Sequence, residues 1–447
     1  MYRLNDDIVA LATLAGKSAL NVVRVSGSSC LKIYKKITGV NSLPKPNHVK
    51  LVSLYHPIKK QIIDQANIVY YKGPKSFTGE DCIEITTHGG VVIVNQLLDA
   101  LLASGAREAL PGEFSYRAFI NNKIDLLQAE AISTIVSATN DLDSYYALSS
   151  IKGSLSSSIQ KSHDTIKKII TIGEHELDFS ENEINFTKQA TYISELKKAT
   201  KIIKNIIDQS YTMEDDKSGL KIVITGLPNV GKSSLFNLLV GRSRAIVTSQ
   251  KGTTRDILEQ PIYIKDHQIT LIDTAGIRKT KDKIEKIGIK KSLQEITKAD
   301  IVLVIDDLDP RGVFEKIKTN LNTKTILLIQ NKIDANTKNK DKKTIGISCK
   351  NKTGIKKLIT QLSTAIQLKT DVFYQQHSCL INKRQKKLLN DIYRGLVQGS
   401  KEYNKHKDLS LCLSLLYGVL DDFNTLVRPI DKNQILNDIF GGFCVGK

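Results

Sequence analysis

Tryptophan is absent from the 447 residues, methionine occurs twice, and aromatic residues make up only 6% of the chain. No aromatic-interleaved basic run marks a stacking platform for bases. No run of 18 or more apolar residues is present, and the first residues, Met1 to Asp7, are polar and acidic. Neither a membrane-spanning helix nor a signal peptide is expected, which predicts a cytoplasmic protein. The six cysteines (Cys30, Cys82, Cys349, Cys379, Cys412, Cys444) are far apart and form no C-x-x-C pair. That spacing argues against a zinc site or a disulfide framework. Acidic residues are the minority, 46 against 65 basic, for a net charge of +19. The excess favours a polyanionic partner such as RNA, but the basic residues are spread along the chain and locate no surface.

The length predicts two to four domains. Residues 1–121 mix β-like runs (Asp7–Leu14, Leu20–Val25, Asn67–Tyr71, Cys82–Thr87) with helical ones (Ser28–Ile37, Val91–Ser104). They read as an α/β or α+β domain without a dinucleotide-type glycine signature. From 122 to 216 the period changes. Leu127, Ala131 and Ile135 recur at four-residue steps, as do the Ile202/Ile203 and Ile206/Ile207 pairs, predicting long amphipathic helices. Asp215 to Gly219 reads as a linker. Residues 217–369 carry β-like runs at Ile269–Ile272, Ile301–Ile305, Thr325–Ile329 and Thr344–Ile347, which suits a parallel sheet with crossovers. Residues 370–447 return to helical spacing, as at Leu411, Leu415 and Val419. An α/β domain flanked by helices on both sides predicts an insertion into one helical bundle.

The most specific stretch is Gly226-Leu227-Pro228-Asn229-Val230-Gly231-Lys232-Ser233-Ser234, placed between the apolar runs Leu220–Thr225 and Leu235–Val240. Strand, glycine-bounded loop and helix start make a phosphate cradle of the G-x-x-x-x-G-K-[ST] kind. Backbone N–H groups and the helix N-terminus would meet phosphate oxygens, Lys232 would reach the outer phosphates, and Ser233 would offer a hydroxyl to magnesium. Downstream, Thr253-Thr254 fits a switch loop that closes on magnesium. Asp273-Thr274-Ala275-Gly276 follows a strand, with Asp273 suited to magnesium-bound water and the Gly276 N–H to the γ-phosphate. Asn331-Lys332-Ile333-Asp334 also follows a strand, and its carboxylate can accept two hydrogen bonds from guanine, a donor pair that adenine lacks. Ser348-Cys349 would complete the base pocket. All four in order point to GTP binding and hydrolysis. Ile277 stands where Ras-like proteins carry the water-positioning glutamine, so the charge and water must be handled otherwise. Asn229 is suited to a monovalent cation there, and a carboxylate on Lys279–Gly288 to orienting the water.

Gly226 to Asn237, Ile246-Val247-Thr248, Gly252 to Asp256, Asp273 to Arg278 and Ile284 to Gly288 resemble the G domain of the MnmE (TrmE) family. Gly73 to Asp81, His88-Gly89-Gly90, Pro111 to Phe114 and Ala118 to Leu126 are similar to that family's N-terminal domain, and Cys444-Val445-Gly446-Lys447 to its C-terminal motif. The chain departs from the pattern at Thr13 to Asn21, with fewer glycines, and at Asn437 to Phe443. The resemblance implies a multidomain α/β plus all-α fold. Its parts would be an N-terminal tetrahydrofolate-binding and dimerisation domain (1–121), a helical domain in two parts (122–216 and 370–447) and an inserted Ras-like P-loop GTPase domain (217–369). It implies potassium-dependent GTP hydrolysis in a homodimer. With the FAD protein MnmG (GidA), the dimer would build an aminomethyl-type (carboxymethylaminomethyl) group on C5 of the tRNA wobble uridine from a one-carbon tetrahydrofolate.

Carried over by motif, Asn229, Val230, Gly231, Lys232, Ser233, Ser234, Thr248, Thr253, Thr254, Asp273, Thr274, Ala275, Gly276, Asn331, Lys332, Asp334, Ser348 and Cys349 would bind GTP. Asn229, Thr248, Gln250 and Thr253 would surround potassium, and Ser233 and Thr254 would ligate magnesium. Glu285 would orient the attacking water, with Lys232 on the phosphates. Arg24, Glu84, Lys123 and Lys447 would line the folate site, with Cys444 a thiol beside it that serves modification. Taken alone, Glu285 in its lysine-rich segment is an ordinary surface residue, and Cys444 a structural cysteine. Two rival functions share part of the pattern. A ribosome-assembly GTPase of the Era/Der kind would lack the first domain and the terminal cysteine. A folate-dependent aminomethyltransferase with an appended G domain would act on protein or glycine.

Overall fold

A computed structural model of the chain describes residues 2–138, 141–179, 183, 185–212, 220–242, 258–265, 267–273, 295–317, 325–335, 343–429, 436 and 439–446. The chain divides into two compact units. One comprises residues 1–137, 146–208 and 383–447, and the other 138–145 and 209–382.

The first unit opens with a six-stranded sheet built from β1 (Ile8–Leu11), β2 (Leu20–Ser26), β3 (Val49–Tyr55), β4 (Ile62–Tyr71), β5 (Cys82–His88) and β6 (Arg107–Glu108), in the order β3-β4-β5-β2-β1-β6. All pairs are antiparallel except β1 with β6. Side chains alternate across the strands. Val23, Val25, Ile83, Ile85, Ile68 and Tyr70 bury against Ile33, Tyr34 and Ile37 of α1 (Cys30–Thr38) and Leu97 and Leu101 of α2 (Val91–Ala103). The alternate positions, Arg24 and Glu84 among them, lie on the opposite face. The expected strand Asp7–Leu14 stops at Leu11, because polar side chains stitch the following loop. Thr13 Oγ1 (3.0 Å) and Ser18 Oγ (3.1 Å) both donate to the buried Asn21 Oδ1. β3 escapes the alternation rule because its outer residues, Val49 and Leu51, are apolar and exposed, while Val52 and Leu54 are buried.

Five helices follow: α3 (Glu113–Ile120), α4 (Leu126–Ser137), α5 (Asp141–Ile151), α6 (Ser154–Asp178) and α7 (Gln189–Asp208). Leu155, Ile159, Ser162, Ile166, Ile169, Ile170 and Gly173 bury one stripe of α6, the period expected of an amphipathic helix.

The second unit holds β7 (Ser210–Tyr211), β8 (Leu220–Thr225), α8 (Lys232–Arg242), β9 (Leu258–Ile264), β10 (His267–Asp273), β11 (Ile301–Asp306), α9 (Pro310–Ile317), β12 (Thr325–Gln330), β13 (Ile345–Gly346), α10 (Ile355–Gln376) and β14 (Cys379–Leu380). Its sheet runs β13-β12-β11-β8-β10-β9, parallel apart from the edge strand β9. β11 is buried at every residue (Ile301 to Asp306), as a central parallel strand covered on both faces should be. At the foot of this unit β7 pairs in parallel with β14. Ser378 N donates to Gln209 O (2.8 Å) and Ile381 N to Tyr211 O (2.9 Å), so the entering and leaving chain segments are bonded side by side.

The bundle of the first unit then closes with α11 (Lys383–His406) and α12 (Leu409–Val427), which pack on each other and on α7 and α6 respectively. Helices from both sides of the G-type sheet therefore share one bundle. Gly173 of α6 faces the Leu413 side chain of α12 so closely that a Cβ there would collide with it. Among the described residues, the 19-residue α12 is the helix that by length and composition is apolar enough to cross a membrane, with a mean hydropathy of 1.2 over an 18-residue window. Its buried residues, Cys412, Leu413, Leu416, Val419, Phe423 and Leu426, lie along one stripe. Asp408 caps it by accepting from Leu411 N (3.0 Å).

Candidate functional site

The phosphate loop joins the buried β8 to α8. Gly226 sits against the neighbouring strand, where a Cβ would collide with the Ile305 carbonyl oxygen, and Gly231 has φ +101 with Asn331 Nδ2 in the space a side chain would need. Both glycines are therefore required by close approach as well as by turn geometry. Lys232 opens α8 and is almost fully buried. Its ammonium donates to Leu227 O (2.6 Å) and Gly226 O (3.1 Å), which holds it curled inside the loop. Ser233 Oγ donates to Oδ2 of the fully buried Asp273 (2.8 Å) at the end of β10. A hydroxyl and a carboxylate at that separation are hard oxygen donors of the kind magnesium takes.

The loops at the other end are tied to this one. Asn331, 3% exposed, donates from Nδ2 to Val230 O (2.8 Å) and accepts at Oδ1 from Cys349 N (3.2 Å). Lys332, at φ +58, donates to Asn229 O (3.0 Å) and to Asp307 Oδ2 (2.9 Å). Ile333 N donates to Ile347 O (3.2 Å). The Ser348 hydroxyl holds the Asp334 carboxyl below the usual aspartate range, so at neutral pH it is an ionised acceptor. Burial, with the Asp334 charge behind it, pushes the Cys349 thiol up to about 11 and keeps it neutral. Asp307 was absent from the sequence reading. The signal was the Asp306-Asp307 pair closing the apolar run of β11.

Of the nucleotide residues singled out above, the structure brings together Asn229, Val230, Gly231, Lys232, Ser233, Asp273, Asn331, Lys332, Asp334, Ser348 and Cys349, and Ser234 lies on the first turn of α8. Thr248, Gln250, Thr253, Thr254, Thr274, Ala275, Gly276, Ile277 and Glu285 lie outside the described residues, as does Lys447.

A second constellation occupies the outer face of the N-terminal sheet. Arg24 and Glu84 are register partners on β2 and β5, joined through Nη2 to Oε1 (2.7 Å) and Nε to Oε1 (2.9 Å). Tyr71 Oη donates to the second carboxylate oxygen (3.3 Å), and the Arg24 guanidinium stands 5.7 Å from the Phe114 ring centroid. The C-terminal tail completes this face. Arg24 Nη1 donates to Gly446 O (3.3 Å) and Gly112 N to Cys444 O (3.4 Å), while Phe440 and Phe443 anchor the segment among Phe119, Leu126 and Ala129. Cys444 is thereby left exposed, whereas Cys30, Cys82, Cys379 and Cys412 are buried. Lys123 Nζ donates to Pro74 O (2.8 Å).

Beneath this face lies a charged network that sequence reasoning did not find. Arg117, with no exposure, binds Glu80 (2.9 Å), Glu113 (3.2 Å) and the Arg3 and Asp6 carbonyls, and Arg107 binds Glu113 at 2.6 Å. Burial alone would raise the Glu113 carboxyl. The Arg107 hydrogen bonds, the Leu110 N–H and the two guanidinium charges outweigh it and hold the group below the usual glutamate range.

A parallel sheet with a glycine-bounded phosphate loop after a central strand, Lys232 and Ser233 opening the next helix, Asp273 ending an adjacent strand and an Asn-Lys-x-Asp loop beside them define a P-loop GTPase domain, inserted here into a helical bundle. The family described as GTP-binding protein TrmE N-terminus matches residues 7–123, and the MnmE helical domain matches residues 126–444. The tRNA modification GTPase MnmE of Aliarcobacter butzleri is 37% identical, covering 99% of each chain. The proteins of that name from Sulfurovum sp. (35%, 100% of this chain and 99% of the other) and Aquifex aeolicus (34%, 99% and 100%) are similarly close. The chain belongs to the MnmE family.

Proposed function

We propose that the chain hydrolyses GTP as part of tRNA modification, working as a cytoplasmic homodimer. The observation that carries this is the joining of a phosphate end and a base end in one site. Ser233 and Asp273 lie at the first, Asp334 and Ser348 at the second, and the Asn331 and Lys332 bonds to Val230 and Asn229 fix the distance between them. On binding, Lys232 exchanges two loop carbonyls for β- and γ-phosphate oxygens, and the ionised Asp334 accepts the guanine N1–H and N2–H. Magnesium, when bound, neutralises charge on the phosphate oxygens; Ser233 and Asp273 fit it, with Thr254 as the further ligand proposed from the sequence. Asn229, Thr248, Gln250 and Thr253 would hold potassium, which would supply the positive charge at the β,γ-bridge that an arginine finger provides in other GTPases. Glu285 orients the attacking water.

The product group is a carboxymethylaminomethyl-type substituent on C5 of the wobble uridine, made with MnmG. A one-carbon tetrahydrofolate would supply the methylene carbon attached to C5. Arg24 and Glu84 would hold that cofactor on the outer sheet face, where the ion pair, the Phe114 ring and the docked tail offer both charge and an apolar wall. Lys123, Lys447 and the exposed Cys444 thiol complete the assignment. The reading is tested by digesting total tRNA from a strain lacking the chain and resolving nucleosides by mass spectrometry. The modified wobble uridine should vanish and return with the wild-type chain but not with Lys232→Met. Its persistence in the deletion strain would refute the assignment.

A further inference from the structure

Between α7 and α11, both in the first unit, lies an open groove of about 410 Å³. Lys197, Lys201 and Lys204 enter it from α7 and Lys401 from α11, and no carboxylate is among its lining residues. The three α7 lysines stand at i, i+4 and i+7, so they share one face and span about 10 Å along the axis. Some other basic groups on these helices are paired: Lys198 binds Glu195 (2.7 Å), Arg384 binds Glu130 (2.8 Å) and Arg394 binds Asp391 (2.8 Å). Among the described residues the four groove lysines have no ion pair. Gathering like charges on facing helices is unfavourable unless a polyanion offsets it.

We propose that this groove binds the phosphate backbone of RNA. Lysine ammoniums act on phosphates as point charges, and the groove has neither arginine forks nor aromatic rings with which to read or stack bases. It therefore holds and positions RNA without reading sequence. Thr200, Ser400 and Asn404 supply neutral hydrogen-bonding groups between the lysines, suited to phosphate and ribose oxygens, while Ile193 and Val397 line the wall. An acidic protein segment is the competing occupant. The neutral hydroxyl and amide groups between the lysines, suited to phosphate and ribose oxygens, favour RNA. The proposal rests on the reading that RNA is the substrate, and it adds where the backbone is held.

The test uses the full chain and a tRNA transcript, with affinity measured by fluorescence anisotropy from 50 to 200 mM KCl. Replacing Lys197, Lys201, Lys204 and Lys401 by Gln should weaken binding at least tenfold at the lowest salt. It should also reduce the slope of log K against log salt by roughly 3, from four contacts at about 0.7–0.9 each. The milder pair Lys201→Gln/Lys401→Gln should give about half that slope change. Replacing all four by Arg should preserve binding, and Lys198→Gln, which leaves the groove intact, should change affinity less than twofold. GTP hydrolysis without RNA and the thermal melt should match the wild type. If the wild type binds RNA and the folded Gln variants bind with the same affinity and slope, the groove assignment is overturned while the tRNA reading stands. If the wild type fails to bind RNA but captures a polyglutamate peptide through these lysines, the RNA assignment itself falls.

Discussion

Asp334→Asn changes the site at one atom, and its effect follows from hydrogen-bond directions. In the wild-type chain the carboxylate is held ionised by the Ser348 hydroxyl and presents two acceptors. Guanine offers N1–H and N2–H to them. Asparagine keeps one acceptor but turns a donor toward N2–H, so one charge-assisted bond is lost and two donors face each other. Bonds to charged groups contribute about 1.5–3 kcal/mol, and a donor left unpaired costs about 1–3 kcal/mol more. A loss of about 3 kcal/mol is a factor on the order of 100 in Kd. Xanthine carries a carbonyl where guanine carries the amino group, so the asparagine amide can donate to it while its oxygen still accepts N1–H. The variant should bind xanthosine triphosphate better than GTP. The surrounding bonds leave the loop in place, since Asn331 and Lys332 hold it through Val230, Cys349, Asn229 and Asp307 independently of Asp334. Titration with fluorescent GTP and XTP analogues reads both affinities. A variant that binds GTP within threefold of the wild type would show that Asp334 does not contact the base.

Gly226→Ala puts a methyl group against the Ile305 carbonyl, a rigid backbone atom of β11, so the phosphate loop must shift; nucleotide affinity should fall more than tenfold by the same titration. Glu113→Gln leaves the buried Arg117 with one carboxylate fewer, removes the charge facing Arg107 and turns an NH2 donor toward one of its two N–H groups, which should cost about 3 kcal/mol in denaturant unfolding at pH 7. Because the folded Glu113 titrates below its unfolded value of about 4.3, its contribution is complete above that pH and is lost as pH falls through the lowered value. The wild-type and Glu113→Gln curves should therefore converge in acid; a gap that stays constant would refute the charge argument. Glu285→Ala should abolish hydrolysis with nucleotide affinity kept, and exchanging potassium for sodium should sharply slow the wild-type chain. Normal turnover in either experiment, measured by phosphate release, would remove the corresponding role.

What the sequence discloses depends on how local the determining physics is. The phosphate loop is legible because its glycines, lysine and serine act within one turn, and the strand and helix on either side announce themselves by apolar runs. α6 and α12 are legible for the same reason, each carrying one apolar stripe. α3 is not, because its buried face includes Glu113 and Arg117, and a charged residue ordinarily marks the solvent side. Only the fold shows that the two are buried together and that Arg117 binds the half-buried Glu80, which lies 37 residues before it. β3 is hidden by the opposite fault, apolar residues on both faces. The docked tail is the extreme case. Arg24 and Gly446 are 422 residues apart, and nothing periodic in Cys444 to Lys447 suggests a strand partner or a helix. Resemblance alone brought these residues to attention. The physical reason the tail reaches Arg24 at Gly446 is that Phe440 and Phe443 bury in the apolar cluster around Phe119, and Gly446 passes so near Leu11 that a side chain would crowd its carbonyl oxygen. An apolar anchor followed by a glycine thus delivers an exposed thiol to a charged sheet face, and that arrangement exists only once both ends of the chain have folded into one unit.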